Sequence, residues 1–448
     1  MGKLFGTDGI RGVANRELTP ELAFKIGRIG AFVLQKENRG RKAFLVARDT
    51  RKSGTMLESA LVAGLNSAGV DVYLAGVIST PATAYLTKQL AGCGGVVISA
   101  SHNPYYDNGI KFFSPDGFKL PDAVEAEMEE LFFQADDSLP RPEGEAVGCV
   151  LPDPGAAERY LSYLLSTVPC RLEGCRIVLD CANGAVSQLA PQAFRALGAE
   201  VIAFNNRPDG ININACCGST HPEAIVNYVK QEGADFGFTF DGDADRVLAV
   251  DAGGQLVDGD AIMMILARHL LSRDALPHRT VVATVMSNLG LEKAAETYGF
   301  RLLRTKVGDR YVLEEMLAGG YTLGGEQSGH IILLDYNTTG DGLLTALQVA
   351  AIAVAGGKNL KELASGFTRY PQVLVNCRVK EREGWESNPR IRAAIAETEE
   401  TVRGSGRLLI RPSGTEPLIR VMLEGQDEEK LRNMAARLAE IIAAELNR

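Results

Sequence analysis

Residues 94–113, with the sequence GGVVISASHNPYYDNGIKFF, decide how we interpret the fold of this chain. The stretch begins with small and β-branched residues, whose length and composition are typical of a buried central strand. The apolar run stops at Ser101, and Pro104 keeps the residue before it out of helical geometry. An Asn-Gly pair then indicates a second tight turn before apolar residues resume. We therefore predict that Ser101 lies in a turn between two strands.

A hydroxyl at the carboxyl end of a strand occupies the position where open α/β sheets place their reactive groups. The alternative is a turn serine that hydrogen-bonds its own backbone. Three other loops, far apart in the chain, favour the reactive serine, and they are described below.

The composition is typical of a globular protein with several domains. The 448 residues exceed what one hydrophobic core supports, so we expect about three or four domains. Hydrophobic residues make up 46% of the chain and charged residues 23%, which is ordinary for folded domains. No stretch reaches the roughly 18 consecutive apolar residues of a membrane span, and the first residues lack a signal-peptide core. We expect a cytoplasmic protein with no membrane partner.

The charge and the cysteines argue against two further classes of protein. A net charge of −9 with no basic stripe argues against binding to nucleic acid. The eight cysteines contain no CxxC pair and lie mostly in apolar runs, so we predict reduced, buried thiols and no metal ligands among them. If the ligand is an anion, cations must be concentrated at its site. Residues 4–13, with three glycines around Asp8 and Arg11, are expected to form an irregular turn that carries one such cation.

The order of the predicted elements divides the chain into four domains. Residues 1–152 alternate strands and helices, which indicates a mainly parallel sheet with helices on both faces. Residues 153–254 and 255–368 show the same rhythm, without a repeat at the level of residues. Residues 369–448 change to a β-α-β-β-α order, which is typical of an α+β domain with its helices on one face of an antiparallel sheet.

Three aspartates, Asp241, Asp243 and Asp245, alternate with small residues directly after a predicted strand. Such crowding is unfavourable without a cation, and ligands that are all oxygen favour Mg²⁺ over zinc. A calcium EF-hand would need glycine at the sixth position and glutamate at the twelfth, where this loop has Arg246 and Ala252. We therefore predict a magnesium site here rather than a solvated acidic loop.

Two later loops carry groups that suit a sugar phosphate. Residues 411–417, RPSGTEP, combine an arginine, two hydroxyls and a glycine as in a phosphate cradle, although a polar hairpin turn is equally compatible. The loop 324–330 places Glu326 and Ser328 on a glycine-rich backbone that suits sugar hydroxyls, and His330 has an equal claim to a structural role. With the serine and the acidic loop, these groups indicate phosphoryl transfer on a sugar phosphate in a cleft between domains.

Six motifs carry a resemblance to the α-D-phosphohexomutase superfamily along the whole chain. They are LFGTDGIRG (4–12), ISASHNPYYDNGIKFF (98–113), FDGDADR (240–246), TVMSNLGLE (284–292), GGEQSGH (324–330) and RPSGTEPLIRV (411–421). TDGIRG, TVMSNLGLE, Tyr105-Tyr106 and Gln327 resemble the amino-sugar branch of the superfamily. The resemblance implies a four-domain α/β architecture, with three similar α/β domains that have mixed sheets and a C-terminal α+β domain around a central cleft.

The resemblance also implies a reaction. Glucosamine 6-phosphate would be converted reversibly to glucosamine 1-phosphate, which supplies UDP-N-acetylglucosamine synthesis. Ser101 would be carried as phosphoserine, with its phosphate on a Mg²⁺ ion held by Asp241, Asp243 and Asp245. The phosphoryl group would pass through a 1,6-bisphosphate, and glucosamine 1,6-bisphosphate or glucose 1,6-bisphosphate would be the activator. The partner is then a small-molecule sugar phosphate, and the protein is a monomer or a homodimer.

Further positions match those of the superfamily. Lys111 matches the position proposed for general acid/base chemistry, which requires a lowered pKa if the amine is to act as a base. Arg11 and Arg246 match cations that line the site, and His102 either orients the serine loop or contacts the phosphate. The predicted substrate contacts are Glu326, Ser328, Gly308, Asp309, Arg310, Arg411, Ser413, Gly414, Thr415 and Arg420.

Two alternatives remain open at this stage. The chain could be a phosphomannomutase or phosphoglucomutase of the same superfamily. It could also be a non-catalytic sugar-phosphate sensor on the same scaffold.

Overall fold

The computed structural model describes residues 4–6, 8–36, 40–381, 383–413 and 417–447. Within these ranges the strands form four separate sheets, which follow one another along the chain. The helices in the same ranges include none that is both long and apolar enough to cross a membrane.

The first sheet has the serine strand near its centre. Its region contains β1 (Ile10–Val13), α1 (Pro20–Gln35), β2 (Ala43–Arg48), α2 (Gly54–Ser67), β3 (Asp71–Val77), α3 (Thr80–Leu90), β4 (Gly94–Ile98), β5 (Asp107–Phe113), α4 (Asp122–Phe133) and β6 (Val150–Pro152). The strand order is β1-β5-β4-β2-β3-β6, in which β4, β2, β3 and β6 are parallel while β5 is antiparallel to both of its neighbours. Every residue of β4 is buried, as its small and β-branched side chains predict.

The prediction of an irregular turn at residues 4–13 is wrong for its last four residues. Ile10–Val13 forms β1, which pairs with β5 from Ile110 back to Asp107. This pairing joins segments about a hundred residues apart, so the local glycine-rich sequence carries no indication of it. The strand brings Arg11 to the same edge of the sheet as the serine loop.

The second sheet supports the acidic loop. Its region contains α5 (Ala156–Ser166), β7 (Arg176–Asp180), α6 (Leu189–Ala196), β8 (Glu200–Phe204), α7 (Glu223–Glu232), β9 (Phe236–Phe240), β10 (Val247–Asp251) and β11 (Leu256–Val257). The order is β11-β10-β9-β7-β8, with β9 and β8 parallel to β7, and β10 antiparallel to β9. The three aspartates therefore lie in the connection of the β9–β10 hairpin.

The third sheet carries the predicted sugar loop. Its region contains α8 (Gly259–Ser272), β12 (Thr280–Thr284), α9 (Leu289–Tyr298), β13 (Arg301–Thr305), α10 (Asp309–Gly319), β14 (Leu323–Gly325), β15 (Ile331–Leu333), α11 (Gly342–Ala355) and α12 (Leu360–Ala364). The order is β13-β12-β14-β15, in which only the β14–β15 pair is antiparallel. Residues 326–330 form the tip of that hairpin.

The last sheet is antiparallel throughout, as the change of element order predicts. Its region contains β16 (Gln372–Arg378), α13 (Pro389–Val402), β17 (Gly406–Pro412), β18 (Leu418–Gly425) and α14 (Glu428–Leu446). The order is β16-β18-β17, and α13 and α14 pack on this sheet and on each other. The mixed sheets and the α+β end confirm the predicted fold class.

One hydrophobic cluster spans the first three regions, the first region has a second cluster of its own, and the last region has a separate one. One cluster of buried side chains includes Val97 of β4, Phe238 of β9 and Ile262 of α8. The C-terminal region has its own cluster, which includes Ile419 of β18 and Leu438 of α14. Because burial of apolar surface is the dominant favourable term in folding, the C-terminal region is the part whose position depends most on polar contacts.

Candidate active site

Ser101 lies between β4 and β5 in a left-handed backbone conformation, with φ at 51°. Its side chain is buried, and its Oγ donates a hydrogen bond of 2.5 Å to Asp241 Oδ2. A non-glycine residue in this conformation is uncommon and is kept there only by surrounding contacts. The strand-end serine and the acidic loop therefore meet directly.

The acidic loop approaches the serine loop at a glycine. A Cβ atom on Gly242 would lie 2.6 Å from Ser101 O, closer than real Cβ atoms come to any neighbour. From the same second region, Asn214 Nδ2 donates to Ser101 O at 2.9 Å. The close contact of the two loops thus requires glycine between Asp241 and Asp243.

The three aspartates form a buried cluster with unused oxygen atoms. One carboxylate oxygen from each of Asp241, Asp243 and Asp245 lies within 4.8 Å of the others. Asp243 Oδ1 and Asp245 Oδ1 are buried with no hydrogen-bond partner among the described residues. Converging carboxylate oxygens with free lone pairs suit a hard divalent cation such as Mg²⁺. The donor set therefore fits the predicted metal.

The pKa values of two aspartates in this cluster are shifted in opposite directions. Burial, together with the charges of Asp245 and Asp243, raises the pKa of Asp241 well above its usual value. Burial alone would also raise the pKa of Asp245, but His330, Lys111 and Arg246 hold it below its usual value. The negative charge of the loop is therefore only partly balanced by protein groups, which is the condition under which a bound cation is stabilising.

Lys111 is the buried cation of the site. It lies on β5, and its Nζ is 2.9 Å from Asp243 Oδ2 and 2.9 Å from Asp8 Oδ2. Burial alone would lower its pKa, but Asp243, Asp8 and Asp245 raise the pKa above the ordinary value of a lysine. The lowered pKa that a resting base would need is not present. A protonated Lys111 can instead donate a proton and neutralise charge.

A chain of alternating charges continues from Asp8 across the cleft. Lys119 Nζ is 2.5 Å from Asp8 Oδ1 and 2.5 Å from Asp309 Oδ2. His330 then lies between Asp309 and Asp245. Its Nδ1 is 3.5 Å from Asp245 Oδ2, and its Nε2, which accepts a hydrogen bond from Gly340 N at 3.1 Å, is 3.5 Å from Asp309 Oδ2. These contacts join the first, second and third regions at one place.

Two arginines line the same cleft. Arg11 on β1 forms an ion pair with Asp8. Arg246 Nε lies 3.8 Å from Asp245 Oδ1, and the backbone N–H of Arg246 donates to Asp241 Oδ1 at 3.1 Å. Both guanidinium groups are thus beside the acids of the cleft, and their role as cations at a phosphate site stays a prediction.

His102 adjoins the serine as a neutral group. Its Nδ1 lies 3.4 Å from Ser101 Oγ. Burial, with the nearby charges of Arg246 and Arg11, lowers the pKa of His102 to about 4. With these neighbours the ring is neutral at pH 7, so it can accept or donate a hydrogen bond.

The predicted sugar loop is a tight turn at the tip of the β14–β15 hairpin. Glu326 N donates to His330 O at 2.9 Å, and Gly329 N donates to Glu326 O at 3.0 Å. Val247 N on β10 donates to Gly329 O at 3.1 Å, which seats this loop on the second sheet. Ser328 is exposed and Glu326 is partly exposed, so both side chains remain available to a ligand.

The three predicted substrate contacts at residues 308–310 lie in different surroundings. Gly308 has φ at 128°, which favours glycine, and it precedes α10. Asp309 belongs to the charge chain described above. Arg310 forms ion pairs with Asp122 and with Glu125, the latter at 2.8 Å, so in this structure it joins α10 to α4. A role for Arg310 in substrate binding stays a prediction.

The predicted phosphate cradle lies on the C-terminal sheet. Arg411 of β17 and Arg420 of β18 are paired in register, and Ser413 is buried at the end of β17. Burial and the charge of Arg420 lower the pKa of Arg411. Two adjacent guanidinium groups favour an anion between them. Gly414 and Thr415 lie outside the described residues.

The structure thus gathers most of the predicted residues and adds several that sequence reasoning missed. Ser101, the three aspartates, Lys111, Arg11, Arg246 and His102 meet at one edge of the first two sheets, while the arginine cradle is on a separate sheet. Lys119 and Thr80 carry no motif, yet Thr80 Oγ1 donates to Asp243 Oδ2 at 2.6 Å. Such contacts join residues 163 positions apart, and local sequence gives no indication of them.

Four protein-family models match successive parts of this chain. The models describe the phosphoglucomutase/phosphomannomutase alpha/beta/alpha domains I, II and III and the C-terminal domain. The first three match residues 2–138, 158–254 and 258–370 in that order, and the C-terminal model matches residues 374–441.

Full-length relatives are similar in sequence. A phosphoglucosamine mutase of Brevibacillus brevis is 54% identical over 447 residues, which cover 100% of each chain. A phosphoglucosamine mutase of Geobacillus thermodenitrificans is 56% identical over 446 residues, which cover 100% of this chain and 99% of that protein.

Solved structures share the fold. A phosphoglucomutase/phosphomannomutase family protein of Burkholderia thailandensis has a TM-score of 0.82 at 24% identity, covering 99% of this chain and 97% of that one. The Aspergillus fumigatus N-acetylphosphoglucosamine mutase, solved with GlcNAc-6P and magnesium, has a TM-score of 0.69 at 18% identity and covers 99% of this chain and 96% of that one.

Proposed function

The chain belongs to the phosphoglucomutase/phosphomannomutase family, and from this premise we propose that it interconverts glucosamine 6-phosphate and glucosamine 1-phosphate. The observation that carries the proposal is the hydrogen bond from Ser101 Oγ to Asp241 within a buried cluster of three carboxylates. A hydroxyl held on such a cluster can carry a phosphoryl group beside a divalent cation. The amino-sugar substrate is supported by the relatives that match along the full chain.

The metal in this proposal is Mg²⁺, which Asp241, Asp243 and Asp245 would hold together with phosphorylated Ser101. When bound, Mg²⁺ supplies positive charge that neutralises the transferring phosphoryl oxygens. The free lone pairs on Asp243 Oδ1 and Asp245 Oδ1 support this assignment. Glucosamine 1,6-bisphosphate or glucose 1,6-bisphosphate would load Ser101 in the resting enzyme.

The transfer requires one bond to form and one to break at phosphorus. The bond from Ser101 Oγ to phosphorus breaks while the 1-hydroxyl oxygen of glucosamine 6-phosphate forms a new one. Ser101 Oγ gains a proton and the sugar hydroxyl loses one. Lys111, protonated because its pKa is raised, gives a proton to Oγ and regains one from the sugar hydroxyl. The 1,6-bisphosphate then reorients in the cleft, and Ser101 takes the 6-phosphoryl group by the reverse route.

The remaining residues bind and orient. Glu326 and Ser328 would hold the sugar hydroxyls in both orientations, and Arg11, Arg246 and His102 would surround the reacting phosphate. The cradle on the C-terminal sheet would bind the phosphate that does not react. Its proposed members are Arg411, Ser413, Gly414, Thr415 and Arg420, with Gly308, Asp309 and Arg310 contributing from the third region.

We also propose domain boundaries and a setting. The domains are residues 1–152, 153–254, 255–368 and 369–448, in a cytoplasmic protein that is a monomer or a homodimer and binds neither nucleic acid nor membranes. Size-exclusion chromatography with light scattering measures the oligomeric state. A larger stable assembly would contradict that part of the proposal.

A comparison of substrates tests the function directly. With Mg²⁺ and a catalytic amount of glucose 1,6-bisphosphate, kcat/KM should be highest for glucosamine 6-phosphate when it is measured beside the 6-phosphates of mannose and glucose. A preference for mannose or glucose phosphate would replace the proposal with the corresponding hexose mutase. No turnover of any sugar phosphate, with no phosphorylated protein by intact mass, would support the non-catalytic sensor.

Ser101→Ala tests the acceptor. The variant should lose turnover completely and should show no phosphorylated population after incubation with glucose 1,6-bisphosphate. Ser114→Ala is a matched control, because Ser114 also follows a strand of the first sheet and its Oγ accepts a hydrogen bond from Phe118 N. Full activity in Ser101→Ala would exclude the phosphoserine.

A further inference from the structure

We propose that Arg51 and Asp49 form a clasp that fixes the backbone of Ser101 and thereby aims its Oγ at the acidic loop. The inference rests on the proposed function, because it takes Ser101 as the phosphoryl acceptor. Both residues follow β2, and both side chains are 0% exposed, so neither can touch a substrate. They are positioning residues that act through Ser101.

The guanidinium of Arg51 donates to four backbone carbonyls of the serine loop. Nη2 donates to Ser101 O at 2.9 Å and to Asn103 O at 2.8 Å. Nη1 donates to Asp107 O at 3.1 Å and also to Pro104 O. A guanidinium is planar, with its donors in a fixed fork, so these carbonyls can all be served only in one arrangement of the loop. One side chain thus sets the path from the serine to the start of β5.

The backbone N–H of Ser101 leads back to the same pair. Ser101 N donates to Ser99 Oγ at 3.1 Å, and Ser99 Oγ donates to Asp49 Oδ2 at 2.6 Å. Asp49 Oδ2 also accepts from Arg51 Nε at 2.9 Å. Both backbone polar groups of Ser101 are therefore held in one closed ring of hydrogen bonds.

This ring explains how Ser101 keeps its left-handed backbone, with φ at 51°. A serine prefers other conformations, so the strain must be balanced by contacts that exist only in this one. The ring supplies contacts on both sides of the residue. Because Asp49 neutralises Arg51 inside the protein, the clasp orients the serine without adding net charge beside the phosphate.

A clasp of this kind has a definite kinetic consequence. Displacing a reacting atom by about 1 Å can lower a rate about 100-fold. Ser101 Oγ is the leaving atom in one transfer and the attacking atom in the other, so both transfers depend on its position. The loss of the clasp should therefore lower kcat and leave the KM for the sugar phosphate nearly unchanged.

Arg51→Lys tests the clasp, because lysine keeps the charge opposite Asp49 but has no planar fork of donors. Arg28→Lys is a matched control in the same domain. The side chain of Arg28 is 2% exposed, and its Nη1 and Nη2 donate to Ser67 O at 3.1 Å and Leu139 O at 2.7 Å. The partners of Arg28 lie in other segments, so it matches Arg51 in burial and bonding but not in location.

We expect Arg51→Lys to lower kcat about 100-fold, with KM for glucosamine 6-phosphate within about twofold of the wild type. Arg28→Lys should keep kcat within about threefold at a temperature where both variants are folded. Hydrogen exchange measured by mass spectrometry should be faster across residues 99–108 in Arg51→Lys only. This second readout needs no substrate.

Several outcomes would overturn the proposal. These are a kcat of Arg51→Lys close to the wild type, an equal loss in Arg28→Lys, a change confined to KM, or unchanged exchange in the serine loop. If Arg51→Lys does not fold, Ser99→Ala removes the oxygen between Ser101 N and Asp49 and should lower kcat about tenfold. If the wild type turns over no sugar phosphate, the proposed function fails, and the exchange data on Arg51→Lys still decide whether the clasp holds the loop.

Discussion

Ser101 Oγ and Asp241 Oδ2 are 2.5 Å apart, although 140 residues separate them in the chain. Ser101 follows a strand of the first sheet and Asp241 follows a strand of the second, so the contact exists only when the two regions pack together. The packing of these two regions thus places the hydroxyl against the acidic cluster. The energetic cost of that preorganisation is the crowding of buried carboxylates, and it leads to the first prediction.

Asp241→Asn should stabilise the metal-free protein and abolish its stabilisation by Mg²⁺. Burial and two neighbouring acids raise the pKa of Asp241, so removing this charge should raise the melting temperature of the metal-free protein. The same change should abolish stabilisation by Mg²⁺, which for the wild type amounts to about 2.7 kcal/mol at a metal concentration 100 times Kd. Thermal unfolding in EDTA and in MgCl₂ measures both effects.

Asp136→Asn controls for the loss of one negative charge, because Asp136 is exposed and distant in sequence from the acidic loop. It should respond to Mg²⁺ as the wild type does. Equal stabilisation of Asp241→Asn and the wild type by Mg²⁺ would place the metal elsewhere or remove it from the proposal.

Glu326→Gln should raise KM in both directions of the reaction. If Glu326 holds the sugar hydroxyls in both orientations, its loss weakens the binding of glucosamine 6-phosphate and of glucosamine 1-phosphate alike. Each KM should rise about tenfold, as for the loss of a hydrogen bond to a charged group. Initial rates in each direction give the two KM values. Glu315→Gln on the exposed side of α10 is the control. A rise in one direction only would assign Glu326 to a single orientation of the sugar.

The elements that sequence patterns predicted well are those whose causes are local. The buried strand β4 follows from its length and its run of small and β-branched residues. The antiparallel C-terminal sheet follows from element order. The acidic loop was identifiable because the crowding of Asp241, Asp243 and Asp245 is visible in sequence.

The features that were missed depend on tertiary contacts. Strand β1 exists because its backbone pairs with β5, and the raised pKa of Lys111 exists because Asp8 and Asp243 converge on its amine. The sequence shows the lysine, but it does not show which acids the fold places around its amine. The same holds for Arg51, whose partners are backbone carbonyls, groups that every residue has.

Arg407→Met should loosen the C-terminal domain. Nη1 and Nη2 of Arg407 on β17 donate at 3.0 Å to Val285 O and Ser287 O, in the TVMSNLGLE segment, and Nη2 pairs with the buried Glu424 at 2.6 Å. Removing one member of a buried ion pair costs about 3–5 kcal/mol. We expect faster proteolysis in the linker 366–371 and a higher KM for the sugar phosphate, because the arginine cradle lies on this domain.

Arg432→Met is the matched control for that experiment. Arg432 belongs to the same domain, and its side chain, 65% exposed, pairs at 2.6 Å with Glu428, which is 58% exposed. Exposed pairs contribute about 0–1 kcal/mol, so proteolysis and KM should change little. Linker cleavage at the wild-type rate in Arg407→Met would show that the TVMSNLGLE contact does not hold the domain.

Asp260→Asn should remove a pH-dependent loss of stability. Burial, followed by the charge of Asp258, raises the pKa of Asp260 from 3.8 to about 7, while its Oδ2 accepts a hydrogen bond of 2.7 Å from Asn288 N. Because the folded state holds this proton more tightly than the unfolded state, Asp260 contributes stability that is complete below about pH 4 and is lost as the pH rises through about 7. The amide keeps an acceptor for Asn288 N and does not ionise. Between pH 5 and 8.5 the stability of the variant should therefore rise relative to that of the wild type by about 3 kcal/mol, since about two pH units of this window lie below the folded pKa and each corresponds to about 1.36 kcal/mol. Scanning calorimetry across this range measures the difference, with the exposed Asp116→Asn as the control for charge. A difference between Asp260→Asn and the wild type that is the same at every pH would show that Asp260 stays ionised in the folded protein.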